Sequence, residues 1–235
     1  MRRRKLTGDF LRSWLASLAR EELIAEILEL ADADSRLRLQ LELKAATQTR
    51  DAGQLRHAVK RLLQTGDYLA GQEAPGYADD VSRAAEAIGS LLETDDEAVG
   101  VPDAGAAVAL ARDALGWVTH ALANADDSSG VISDSAAELL ALHLSACQVT
   151  EPPPDPVELG RYLADLILRD TRGITPALED YSALLGRAGV LAIRERIAAV
   201  HRDDPGNPNA RYLANTLLGT GTAQPPDQAP PPVKA

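Results

Sequence analysis

Apolar residues recur along most of this chain at intervals of three and four, the spacing that gives a helix one apolar face. Phe10, Leu11, Trp14, Leu15 and Leu18 follow Asp9, a predicted N-cap, and Leu23, Ile24, Ile27, Leu28 and Ala31 follow Glu21 and Glu22. A short helix therefore precedes a longer one. From Arg36 to Leu43 leucine alternates with polar residues at period two, which is the spacing of a strand. The segment lacks β-branched residues, however, and no second strand offers to pair with it, so a helix presenting leucines to two neighbours is expected instead.

Leu55, Ala58, Val59, Leu62 and Leu63 form the next stripe, ended by Thr65-Gly66, and residues 71–76 (GQEAPG) read as a loop before a helix from Tyr77 to Glu93. An acidic turn over 94–103 leads to a long helix reaching about Asn124, whose apolar positions cover nearly half its circumference. Coverage on two sides is expected. A compact polar loop around Asp126 to Gly130 joins it to a helix carrying Leu139, Leu140 and Leu144. Asp155-Pro156 and Thr175-Pro176 are two further helix starts, with Gly186 to Gly189 linking the second to a stripe of Val190, Ile193, Ile197 and Val200. A last short helix runs through Leu218.

About ten or eleven helices joined by short turns predict an all-α fold, an irregular α-solenoid or TPR-like stack of helical hairpins. Residues 1–8 are expected to be a disordered basic N-terminus, 9–218 the helical domain with a sub-boundary, if any, near 48–52, and 219–235 a disordered Pro-rich tail. Aromatic residues make up only 3% of the 235, so the interior has to be built from Leu, Ala, Val and Ile. Arginine far outnumbers lysine and alanine is abundant, a bias of GC-rich bacterial genomes.

Charge is distributed unevenly. Residues 1–61 hold 13 basic and 9 acidic side chains, residues 62–160 hold 2 and 18, and residues 161–235 hold 9 and 8, within a net charge of −11. Nucleic-acid binding needs clustered cations to displace counterions, and the acidic middle has only Arg83 and Arg112 to offer. An acidic face fits a basic protein partner, with Asp79, Asp80 and Glu86 as candidate contacts. The only basic cluster, MRRRK at the start, could serve as a phosphate-contacting arm. One cysteine allows neither an internal disulfide nor a cysteine zinc cluster, and the N-terminal apolar run is broken by Arg12. A cytoplasmic protein without a membrane span is expected.

Residues 125–136 can be laid on a calcium-binding EF-hand loop with Gly130 at the sharp turn, which places Asp127, Ser129 and Ser133 on ligand positions. Ala125 and Ala136 stand where the first and last carboxylates belong. The expected role is a turn: Asp126 or Asp127 bonding nearby backbone, Gly130 at positive φ, and Ser133 or Asp134 capping the next helix. His143 and Cys147 lie four apart, as two zinc ligands would, but among leucines and with no third ligand in view. A buried histidine and an inert buried thiol are expected. Together Asp126, Asp127, Gly130, His143 and Cys147 make a predicted structural hub. No phosphate-binding glycine loop, nucleophile elbow or metalloprotease motif occurs, and neither enzyme activity nor a cofactor is expected.

DDSSG with SAAELLALHLSAC, DYSALLGRAGV at 180–190 and LIAEILELADADSRLRLQLELKAA at 23–46 resemble the helical region of bacterial SWIM-type zinc-finger proteins and of a related bacterial family of unknown function. The zinc finger itself, with its cysteines and histidine, is absent here, so the resemblance implies a TPR-like scaffold and carries no zinc site. The function expected is a non-enzymatic scaffold or adaptor for a protein partner; the alternative is a nucleic-acid-associated accessory factor using the basic N-terminus.

Overall fold

The computed structural model describes residues 8–66, 68–93, 103–169 and 174–218. Among them are ten helices and no strand: α1 (Gly8–Ser17), α2 (Arg20–Ala33), α3 (Ser35–Thr49), α4 (Ala52–Leu63), α5 (Ala74–Gly89), α6 (Ala104–Ala123), α7 (Val131–Val149), α8 (Pro156–Arg169), α9 (Ser182–Asp203) and α10 (Pro208–Leu218). The fold is all-α. The basic N-terminal cluster, most of the acidic turn at 94–103 and the Pro-rich tail lie outside the described residues. No described helix is long and apolar enough to cross a membrane.

Short polar side chains start the helices where local chemistry asks for them. Asp34 accepts from the backbone N–H groups of Arg36 and Leu37, Asp51 from Gln54, Asp103 from Ala106, and Asp155 from Val157 and Glu158. The alternating segment 36–43 is helical, as its lack of β-branched residues implies, and Leu43 is buried. Asp9 lies inside the first turn of α1 rather than before it. Helix α5 begins three residues before Tyr77, because Pro75 is tolerated in the first turn, where its missing N–H leaves no helical bond unmade.

The largest departure from expectation lies between Thr175 and Leu185. The start signal at Thr175-Pro176 is followed by three-residue turns, with Asp180 N–H on Ala177 O and Ser182 N–H on Glu179 O, and regular helix begins only at Ser182. The expected link from Gly186 to Gly189 shrinks to a kink at Gly186, whose φ of 49° and ψ of −160° suit glycine. The turn holds Tyr181 at the head of α9, pointing into the core.

Helices α3 to α7 form one packed group, with α7 laid against both α5 and α6. Helices α8, α9 and α10 pack chiefly on one another. One continuous apolar core runs through both groups, from Leu43 and Leu55 through Leu115, Ile132 and Leu139 to Leu159, Leu185 and Ile197. At the seam the contacts come from long side chains reaching across: Arg112 from α6 and His143 from α7 meet Tyr162 from α8 and Tyr181 from the head of α9. Helix α1 packs appreciably on no other helix, and α2 only on α3.

Candidate functional site

The polar seam is ordered by His143, which is fully buried. Arg112 Nε donates to His143 Nε2 at 3.2 Å, and His143 Nδ1 lies 2.9 Å from Tyr181 Oη. Tyr181 Oη in turn donates to the Leu140 carbonyl at 3.2 Å, so it accepts from His143. This fixes the tautomer: the proton sits on Nδ1 and Nε2 is the acceptor. Burial, and secondarily the Arg112 cation, hold the imidazole neutral by lowering its pKa to about 3.

Cys147 Sγ lies 3.6 Å from His143 Nε2 and is likewise fully buried. Burial raises its thiol pKa, and the opposing pull of Arg112 does not overcome it. A neutral thiol beside a neutral imidazole that is already accepting from a guanidinium is no thiolate–imidazolium pair. Tyr162 and Tyr181 are also pushed upward, chiefly by burial, and stay protonated. The Arg112 guanidinium lies over the Tyr162 ring, with Cζ 4.7 Å from the centroid, a cation–π contact that fixes its plane.

The loop at Asp126 to Gly130 acts on the same helix from its other end. Gly130 adopts φ 77°, and Asp127 reaches past it to accept from the N–H groups of Ile132 and Ser133 and from the Ser133 hydroxyl, at 3.0, 3.1 and 2.7 Å. Asp127 therefore caps α7, and Ser133 is a donor to it; neither Ser133 nor Asp134 is the capping side chain. Both carboxylate oxygens are taken by donors, Ser129 is exposed, and the described residues hold no group of three His, Cys, Asp or Glu side chains placed to bind a metal. Asp126 bonds the Ser128 N–H, while its own N–H and the carbonyl of Asn124 pair with the backbone of Leu69.

The three acids proposed as an outward face separate. Asp79 and Glu86 are exposed, but Asp80 is only 8% exposed and faces α3, where it accepts from Arg36 at 3.2 Å, and it also accepts from Arg83 on its own helix at 3.1 Å. It is an internal tie: Tyr77 and Val81 turn inward on the same side of α5, and Asp80 lies between them. Arg36 also donates to the Gly76 carbonyl at 2.6 Å.

Sequence reasoning missed Arg112, although a signal existed. Arg83 and Arg112 are the only cations among residues 62–160, and each makes a specific internal contact, Arg83 with Asp80 and Arg112 with His143. A lone cation inside a long acidic block is there for its position. No family model, curated protein or solved structure matches this chain.

Proposed function

We propose that this chain is a non-enzymatic helical scaffold, an irregular TPR-like stack, that docks a protein partner through the apolar face of α1 and α2. One observation carries the reading: Phe10 is 61% and Trp14 42% exposed on α1, and Ile24, Ile27 and Leu28 are exposed on α2. Large apolar side chains placed at i, i+3 and i+4 on one face and left without cover are anchors of the helix-in-groove mode. Residues 1–20 hold six basic side chains against one acidic and residues 21–33 five acidic and none basic, so the partner is a protein whose apolar groove is edged by acidic residues toward α1 and by basic residues toward α2. Saturation of His143 by Arg112 and Tyr181 supports a binding role over catalysis at the seam.

Affinity capture with the full chain, beside a Phe10→Glu/Trp14→Glu variant, supplies candidate partners. Each is then purified and titrated against both chains. Binding that weakens about thirtyfold or more in the variant and falls with added salt supports the reading. Binding that ignores both changes overturns it, as does light scattering that finds the full chain dimeric and the Phe10→Glu/Trp14→Glu variant monomeric. Retention on DNA that is lost when Arg2 to Lys5 are removed would favour the accessory-factor reading.

A further inference from the structure

Beside the seam, between α6 and α8, a cleft of about 480 Å³ is walled by Arg112, Thr119, His120, Tyr162, Asp165 and Arg169. Its size is that of a site for a small molecule. We propose that this cleft binds a small oxyanion, a molecule carrying a phosphate or carboxylate group, with Arg112 as the inner anchor and Arg169 at the mouth.

Six described arginines are ion-paired: Arg36 and Arg83 share Asp80, Arg38 has Asp32 and Glu42, Arg56 has Asp113, Arg61 has Glu42 and Arg196 has Asp165. The described arginines without a carboxylate are exposed except Arg50, which donates to the Glu93 carbonyl, and Arg112. Arg112 is half-buried and meets no carboxylate among the described residues, in a stretch of chain with a large surplus of acids. A partly buried cation without a counterion costs free energy unless something supplies the charge.

Its orientation is fixed in advance. Nε is tied to His143 and the guanidinium plane lies against Tyr162, which leaves the two Nη groups as a fork with no hydrogen-bond partner among the described residues. A planar fork held in place matches two oxygens of a phosphate or carboxylate. Arg169 is exposed at the same cleft and also meets no carboxylate among the described residues, while Asp165, the one acid in the wall, is neutralised by Arg196 at 2.6 Å. Thr119 donates its hydroxyl to the Leu115 carbonyl at 2.7 Å, so it offers the cleft an acceptor or its methyl group rather than a donor. At the inner wall Tyr162 Oη is buried without a hydrogen-bond partner among the described residues, a second unmet polar group beside the Arg112 fork.

The test uses the full chain, amide and arginine Nε resonances, and three salts at equal ionic strength: sodium phosphate, sodium acetate and sodium chloride. The expected result is saturable shifts at Gly116, Thr119 and Arg112 Nε with phosphate or acetate but not chloride, with a Kd on the order of 1 mM or tighter. Whichever of the two saturates at lower concentration assigns the group. Arg112→Gln loosens the His143 cluster as well as the cleft, so Arg169→Gln, at an exposed position, is the deciding variant. It should keep the fold and weaken binding about tenfold. Shifts scattered over the surface, shifts equal in chloride, or binding unchanged in Arg169→Gln would each overturn the proposal.

Discussion

Gly160 and Gly189 meet backbone to backbone where α8 packs on α9: a Cβ on Gly160 would run into the Gly189 carbonyl, and one on Gly189 would lie 2.7 Å from the Pro156 carbonyl. Neither obstacle is the movable end of a side chain. Gly160→Ala should therefore push the two helices apart and destabilise the chain by about 1–3 kcal/mol, the range for overpacking. Gly116, in the interior of α6, has nothing within 4 Å of its would-be Cβ. Gly116→Ala should stabilise by up to about 1 kcal/mol, through helix propensity. Urea unfolding of both variants checks the contrast in sign.

Asp80 joins α5 to α3 through Arg36 and also pairs with Arg83 one turn along its own helix, and its side chain is far better buried than theirs, at 12% exposure against 48% for Arg36 and 42% for Arg83. Half-exposed guanidinium groups find water when the carboxylate is removed, so the cost falls short of that for breaking a fully buried pair. Asp80→Ala should lower stability by about 1–3 kcal/mol, while Asp79→Ala, at an exposed neighbour, should change it by less than about 0.5 kcal/mol. The urea midpoint measures both. Equal effects would remove the internal role argued for Asp80.

Asp127 accepts three hydrogen bonds at the start of α7, the helix that carries His143. Asp127→Ala leaves two N–H groups of the first turn unpaired and should cost about 1–2 kcal/mol, with the loss seen in hydrogen exchange from Ile132 onward. Because both oxygens already accept from these donors, millimolar calcium should leave the melting temperature of the unaltered chain unchanged.

Much of this arrangement was legible in the sequence, and the reasons are local. Helix periodicity and an N-cap such as Asp155 lie within a few residues of what they control, so the all-α class and the start of α8 could be read directly, while the starts of α1, α5, α7 and α9 were displaced. The burial of His143 and Cys147 followed from their leucine-rich face. What the sequence did not disclose depends on distant partners: Asp80 turned inward toward Arg36, 44 positions away, and Arg112 tied to His143 across 31. The segment at Thr175 misled because its Pro start signal is genuine local chemistry, yet tertiary packing of Tyr181 on His143 holds the chain in tighter turns. The exposure of α1 was hidden for the same reason. An amphipathic stripe states that a face seeks cover, and says nothing of whether this chain provides it.

His143 makes the stability of the whole seam depend on pH, and the sign follows from its depressed pKa. In the unfolded chain the imidazole takes up a proton near its ordinary value of 6.5, whereas in the folded chain it does so only near pH 3. Between those values the unfolded state binds more protons, so stability is complete above about pH 6.5 and falls as pH drops, by up to about 1.4 kcal/mol per pH unit from this residue. His143→Gln retains an amide that can accept from Arg112 and donate to Tyr181 but does not titrate. It should flatten that part of the profile, at the cost of some packing, and urea unfolding at pH 5 and pH 7 gives the comparison. The same neutrality governs Cys147: with no imidazolium to stabilise a thiolate and no exposure, it should resist thiol reagents in the native chain and react at once in urea. Rapid native labelling would mean that α7 opens at the seam, and the pH slope assigned to His143 would then have to vanish with it.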